Sequence, residues 1–375
     1  MSSPINPTDY LSKIKDMDES FVSYIIVITI FVMIIFIILY IIYLTKLDSK
    51  GCDYMNTLYP SVDGNIKPIT SNDNDCSGCF YDYYVKTAYN ACSGGSYKND
   101  FVNTCNLKAV IKQGVRCLDF EIYSLNNNPV VSTSTQDSYY VKETFNSVDF
   151  ADVMNTINSY AFSGGTCPNP TDPLIIHLRI KSNNQNIYTK MAEIFKSYDS
   201  MMLGKDYSFE SNGTNLGITP LLKFQNKIIL IVEKKNNAFL ENIDFLEYVN
   251  LTSNSVFMRE YNYYDVKNNP DVQELTSYNR KNITIVFPDK GSNPTNPSGL
   301  LCRTYGCQMI AMRYQYVDNY LEENALFFDR AGYAFALKPF ALRYVPVTIP
   351  DPTPQNPNYS YATRAVSSDY YSFNV

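Results

Sequence analysis

Across 375 residues the sequence has one histidine, His177, and no tryptophan. A lone imidazole excludes a mechanism that passes protons between two histidines. Basic residues are also scarce: 31 Lys and Arg stand against 37 Asp and Glu, a net charge of −6. That balance argues against nucleic acid as the main partner, because phosphate binding needs a basic surface. It argues equally against simple electrostatic attraction to anionic lipid heads. Beside "CSGC" at 76–79 there is no second CxxC motif and no Cys/His cluster, so zinc is not expected. The motif itself reads as a redox pair or half a zinc site.

What is abundant is tyrosine, 33 of them, together with Asn and Ile. Such usage accompanies AT-rich genomes, as in many large DNA viruses and some protists, and says nothing of mechanism. The strongest local feature is "FVSYIIVITIFVMIIFIILYIIYL", residues 21–44. It carries no charge and exceeds the roughly 20 apolar residues that cross a bilayer. A signal peptide would have an apolar region of only about 7–15 residues and a small-residue cleavage site after it. Here "TKLDSKGCDY" follows, so the segment reads as an uncleaved single-pass anchor, with the lipid bilayer as its partner. Two lysines before the span and two after it leave its orientation open.

Nine cysteines are present, five of them between residues 52 and 105. That clustering favours disulfides and an oxidising side of the membrane. Sequons stand at Asn212, Asn250, Asn282 and Asn358 and carry little weight in so Asn-rich a chain.

The chain divides into a polar tail, 1–20, the anchor, 21–44, and a Cys-containing stalk or loop, 45–80. A domain over 81–345 and a Pro- and Tyr-rich tail, 346–375, follow; the tail is a candidate contact for a protein partner. Eight apolar strand signals fall at 81–88, 116–123, 129–135, 173–181, 227–234, 255–262, 282–288 and 307–315. Helical spacing appears between several of them, at 100–114, 147–162 and 186–198. Strands alternating with helices predict βα units in a parallel sheet, and eight of them predict an α/β fold of the (β/α)8 barrel type. In "RCLDFEIY" two acids, Asp119 and Glu121, sit two apart and so point to one face of their strand. Two acids on one face among apolar residues look like a site.

"GVRCLDFEIYSLNNNPVVSTST", "VDFADVMNTINSYAF", "PLIIHLRIKSNNQ" and "GCQMIAMRYQ" together resemble the phosphoinositide-specific phospholipase C family. The X-like part covers about 81–200 and the Y-like part about 225–345. The resemblance implies a TIM-type barrel and calcium-assisted cleavage of a phosphodiester, with two histidines moving protons. It assigns those histidines to Tyr89 and Thr133. It assigns the calcium ligands to Asn90, Asp119 and Glu121, and a glutamate ending a strand to Arg179. The family's basic residues fall near Ile231 and Glu233, and its Arg-x-Tyr-Pro on Ile285, Val286, Phe287 and Pro288. Tyr89 is a poor base near neutral pH and Thr133 does not titrate. His177 shares a strand face with Arg179, one layer deeper, where a hydrogen-bonded core histidine is expected.

The reading that follows is a membrane-anchored phospholipase C-like protein that is catalytically inactive. It would act as a structural or binding component of a membrane or virion, with a phospholipid or sugar head group as candidate ligand, and with no cofactor. Arg179 is expected to pair with Asp119 and Glu121 in place of a metal. One alternative is an active metal-dependent phosphodiesterase using Asn90, Asp119 and Glu121 with calcium. The other is an adhesion or spacer module that binds through its tail.

Overall fold

The computed structural model describes residues 19–375, except 137, 139, 209–214, 346–349, 355, 357, 358 and 360. Residues 1–18 of the polar tail and the sequons at Asn212 and Asn358 lie outside the described residues.

The first described element is α1, Glu19–Leu58, one uninterrupted helix. Its first part is long and apolar enough to cross a membrane, and none of that apolar window is buried in the protein. Residues 45–58, expected as stalk or loop, are instead the last turns of this helix. They are polar, yet Met55 is fully buried and Cys52 forms a disulfide with Cys105. Packing against the barrel supplies the helical stability that the local sequence does not advertise.

The barrel strands and helices alternate as expected. In chain order they are β1, Tyr83–Ala88; α2, Thr104–Lys112; β2, Cys117–Leu125; β3, Asn128–Ser132; α3, Phe150–Ala161; β4, Leu174–Ile180; α4, Gln185–Lys196; β5, Ile228–Glu233; β6, Leu251–Ser253; β7, Met258–Asn262; α5, Val272–Asn279; β8, Ile283–Phe287; α6, Gly299–Thr304; β9, Met309–Met312; and α7, Asn319–Ala331. The parallel order is β6-β5-β4-β2-β1-β9-β8-β7, a nearly closed eight-stranded barrel. The count of eight is correct, but one member is not. The 129–135 segment forms β3, which pairs antiparallel with β2 outside the ring. The missing ring strand is β6, only three residues long, in "VNLTS". It is too short for a periodicity signal and is recruited by pairing with β5.

Alternation along the strands builds two cores. Leu118, Phe120, Ile176, Leu178, Leu230 and Val232 face the helices. Cys117, Ile175, Ile229, Ile231, Ile285 and Met309 fill the barrel interior. Gly114, at φ +70, turns the chain from α2 into β2, a backbone shape that glycine adopts without strain. Residues 344–375 form a separate compact unit, with a small hairpin of Ala365–Ser367 and Ser372–Asn374.

Candidate functional site

The parallel register sets Asp119 beside His177 and Glu121 beside Arg179 on neighbouring strands. All four side chains point into the barrel near the C-terminal ends of the strands, and all are buried. Arg179 is the hub. Its Nε and Nη2 donate to the two oxygens of Asp119 at 3.0 and 2.7 Å. Its Nη1 donates to Glu121 Oε1 at 2.7 Å, and Nη2 also reaches Asn90 Oδ1 at 3.0 Å. The rings of Tyr89 and Phe287 cover the guanidinium, 4.6 and 5.0 Å from its carbon. Burial opposes its charge, but Asp119, Tyr89 and Glu121 outweigh that and raise its pKa further.

Each acid has further partners. Burial alone would push the Asp119 carboxyl up, yet Arg179 and the His177 hydrogen bond hold it well below the usual carboxylate range. The Asn90 backbone N–H donates to it at 3.1 Å. Asn90 stands in the left-handed region at φ 45, which asparagine tolerates, and this shape turns its amide toward the acids. Glu121 also accepts from Tyr123 Oη at 2.6 Å and from the Ser134 backbone N–H at 2.9 Å. His177 lies 2.9 Å from Asp119 through Nδ1 and 3.1 Å from Ser253 Oγ through Nε2. Ser253 in turn donates to Glu260 at 2.8 Å.

A second charged group adjoins the first. Glu233 lies 3.4 Å from Lys181 and 3.3 Å from Lys235, and Lys235 reaches Glu260 at 2.7 Å. Burial and the neighbouring Glu260 raise the Glu233 pKa. Burial works against the Glu260 charge too, but Lys235 and His177 bring its pKa down. Lys290 donates to Tyr89 Oη at 3.1 Å.

Of the seven residues singled out from sequence, six converge here. Thr133 does not: its hydroxyl is spent on the Tyr97 carbonyl at 3.0 Å. Ser134 takes the place beside Glu121, because Ser132 pairs with Glu121 and alternation carries the same face on to Ser134. Sequence reasoning also missed Tyr123, which shares the Glu121 face at i+2, and Lys181 and Lys235, each two residues past a strand position it had examined. Ser253 and Glu260 lie on the short β6 and its neighbour β7, which no pattern joins. The cleft at this end, about 590 Å³, is lined by Lys98, Thr135, Gln136, Ser138, Lys290, Gly291 and Ser292.

The residues at the calcium-ligand positions do not fit calcium. That ion takes six to eight oxygens at about 2.3–2.6 Å, and here the carboxylate oxygens are already engaged by a guanidinium and other donors. No group of three His, Cys, Asp or Glu side chains suited to a metal occurs among the described residues. The "CSGC" thiols, Cys76 and Cys79, are not bonded to each other, and burial pushes both up, away from thiolate reactivity.

Residues 79–235 match the family model for the phosphatidylinositol-specific phospholipase C X domain. Over these residues the chain is similar to that phospholipase C domain. Crystal structures of PLC21 from S. officinalis and from L. pealei share its fold. Each is 17% identical with a TM-score of 0.58 over 72% of this chain. The match spans 38% of those PLC21 chains, well under half their length. A calcium-dependent phosphoinositol-specific phospholipase C from a Pseudomonas species also matches, at 11% identity and a TM-score of 0.46, over 73% of this chain and 98% of its own. No curated protein matches.

Proposed function

We propose that this phospholipase C-like barrel is a membrane-tethered binding or structural component and does not carry out calcium-assisted phosphodiester cleavage. The observation behind this reading is the Arg179 guanidinium, 2.7–3.0 Å from both Asp119 and Glu121. A fixed cation there neutralises the carboxylates from within, and the hydrogen-bonding atoms that would hold a metal or activate a hydroxyl are already committed. Each missing general acid or base removes about 10²–10⁴ in rate. Tyr89 and Thr133 replace neither histidine. The cleft at Lys98, Lys290 and Ser292 is the open space left for a phosphorylated or sugar head group.

Reading residues 21–44 as an uncleaved anchor is supported by the continuity of α1 into its barrel contacts at Met55 and Cys52. The disulfide supports the oxidising side of that membrane, cellular or virion. Exposed Tyr359, Tyr361, Tyr370 and Tyr371 make the tail the proposed contact for a protein partner.

The test is hydrolysis of phosphatidylinositol by the full chain in mixed micelles, with calcium and with chelator. No turnover in either is expected. Calcium-dependent turnover that disappears in Asp119→Ala would mean the site is an active phosphodiesterase, and the proposal fails. Arg179→Glu should gain measurable calcium binding by calorimetry. No gain would count against the guanidinium as the group that excludes the ion.

A further inference from the structure

The direction in which α1 passes the barrel can be read from its contacts. Gly51 packs on Gly94, in the loop that leaves β1 at the barrel mouth: a β-carbon built on Gly51 lies 3.9 Å from Gly94 Cα. That loop is tied to the site, since Ala91 N–H donates to the Asp119 carbonyl. One residue on, Cys52 is bonded to Cys105, at the start of α2. Since α2 leaves the mouth loop and leads back to the start of β2, Cys105 marks the mouth end and Lys112 the base. Tyr59, just past α1, still donates its hydroxyl to the Tyr314 carbonyl beyond the end of β9, but by Asp63 the chain is at the base. Asp63 N–H donates to the Lys112 carbonyl, Lys67 N–H to the Gly332 carbonyl beyond α7, and Ile69 N–H to Asp172 just before β4.

The helix therefore runs from mouth to base along the barrel wall, and its earlier turns project beyond the mouth. It holds no proline to kink it. From residue 44, where the apolar run ends, to Gly51 is seven residues, about 10 Å at 1.5 Å each.

We propose that α1 and the Cys52–Cys105 disulfide form a rigid mount that turns the barrel mouth toward the bilayer holding residues 21–44, with the rim against its phospholipid head groups. This rests on the reading of 21–44 as a membrane span. The rim suits the task. The loop after β3, held at the mouth by Ser134 on Glu121, exposes Tyr140, Val141 and Phe145, at 51, 72 and 40%. Lys98 stands half exposed on the neighbouring loop, where it pairs with Glu143 of the rim loop at 3.0 Å. Apolar and aromatic side chains flanked by lysine favour a lipid interface. The mount would hold the rim at a set height without help from net charge, which is negative.

Because the chain has no tryptophan, single Trp substitutions report position without background. The full chain is placed in phosphatidylcholine vesicles carrying a nitroxide lipid, labelled on the head group or on the acyl chain. Ile34→Trp reports the span, Val141→Trp the rim and Lys67→Trp the base. Acyl-chain nitroxide should quench Ile34→Trp. Head-group nitroxide should quench Val141→Trp several-fold more than Lys67→Trp, and adding Cys52→Ala or Cys105→Ala should narrow that ratio. Equal quenching at 141 and 67, or more at 67, with Ile34→Trp quenched, overturns the orientation and leaves the membrane reading standing. An unquenched Ile34→Trp overturns the membrane reading itself. A ratio unchanged in both cysteine variants overturns the part given to the disulfide.

Discussion

Of the three arginines fully buried among the described residues, two stand at opposite ends of the barrel, Arg179 at the mouth and Arg116 at the base. At the mouth the guanidinium meets two carboxylates and an amide oxygen directly. At the base, Arg116 Nη2 donates to the carbonyls of Ala161 and Asn169, the Asn169 side chain and Cys167 Sγ. Its Nε and Nη1 find no hydrogen-bond partner among the described residues. Burial lowers the Arg116 pKa against the pull of Cys167 and Asp172, whereas the carboxylates raise that of Arg179. The same residue type is thus held by ion pairs at one end and by dipoles at the other. A buried charge neutralised by direct partners becomes part of the frame, and removing it exposes its partners. A half-satisfied one is supported mainly by its surroundings.

This difference predicts an order of effects. Arg179→Met leaves Asp119 and Glu121 buried and unpaired, and should cost about 3–5 kcal/mol in urea unfolding. Arg179→Lys should recover only part of that, because a point charge cannot serve both acids as the planar fork does. Arg116→Met should cost less, about 1–3 kcal/mol, since it removes hydrogen bonds to neutral acceptors, and the nearby acid, Asp172, keeps its own hydrogen bonds from Ile69 and Asn169. A larger loss at Arg116 than at Arg179 would reverse the comparison.

The smallest effect concerns pH. Burial pushes the Asp172 carboxyl up to about 6, despite Arg116 and the hydrogen bonds from Ile69 and Asn169. Its value in the unfolded chain is about 3.9. The native state therefore holds this proton longer, and its stabilising contribution is complete below about pH 4 and lost as pH rises to about 6. Asp172→Asn should flatten that part of the stability profile. An unchanged slope would assign it to other groups.

Much of the barrel is legible from period and punctuation alone. β5 and β8 are nearly continuous apolar runs, β1, β2 and β4 are apolar segments broken by a few polar residues, and helical spacing marks α2, α3 and α4. The face shared by Asp119 and Glu121, and the layer order of His177 and Arg179, follow from the two-residue repeat of a strand. Less legible are features made by pairing. β6 has three residues and exists because β5 offers it an edge. β3 reads like any barrel strand, and only its antiparallel turn from β2 removes it from the ring. Thr133 and Ser134 differ by one position, and a one-residue step exchanges the faces of a strand.

The sequence by itself determined that this chain carries a bilayer-length apolar segment, an alternating α/β barrel and two acids on one strand face. Those properties are local, written in run length, composition and period. The pairing of Arg179 with Asp119 and Glu121 was legible in the same way. Only the tertiary structure decided that Lys181 and Lys235 meet Glu233 and Glu260, and that the polar stretch 45–58 is helix pressed on the barrel. It also decided which end of the barrel lies beside the apolar run. Such choices depend on contacts between residues distant in the chain, such as Gly51 with Gly94 or Ser253 with Glu260, which no local pattern encodes.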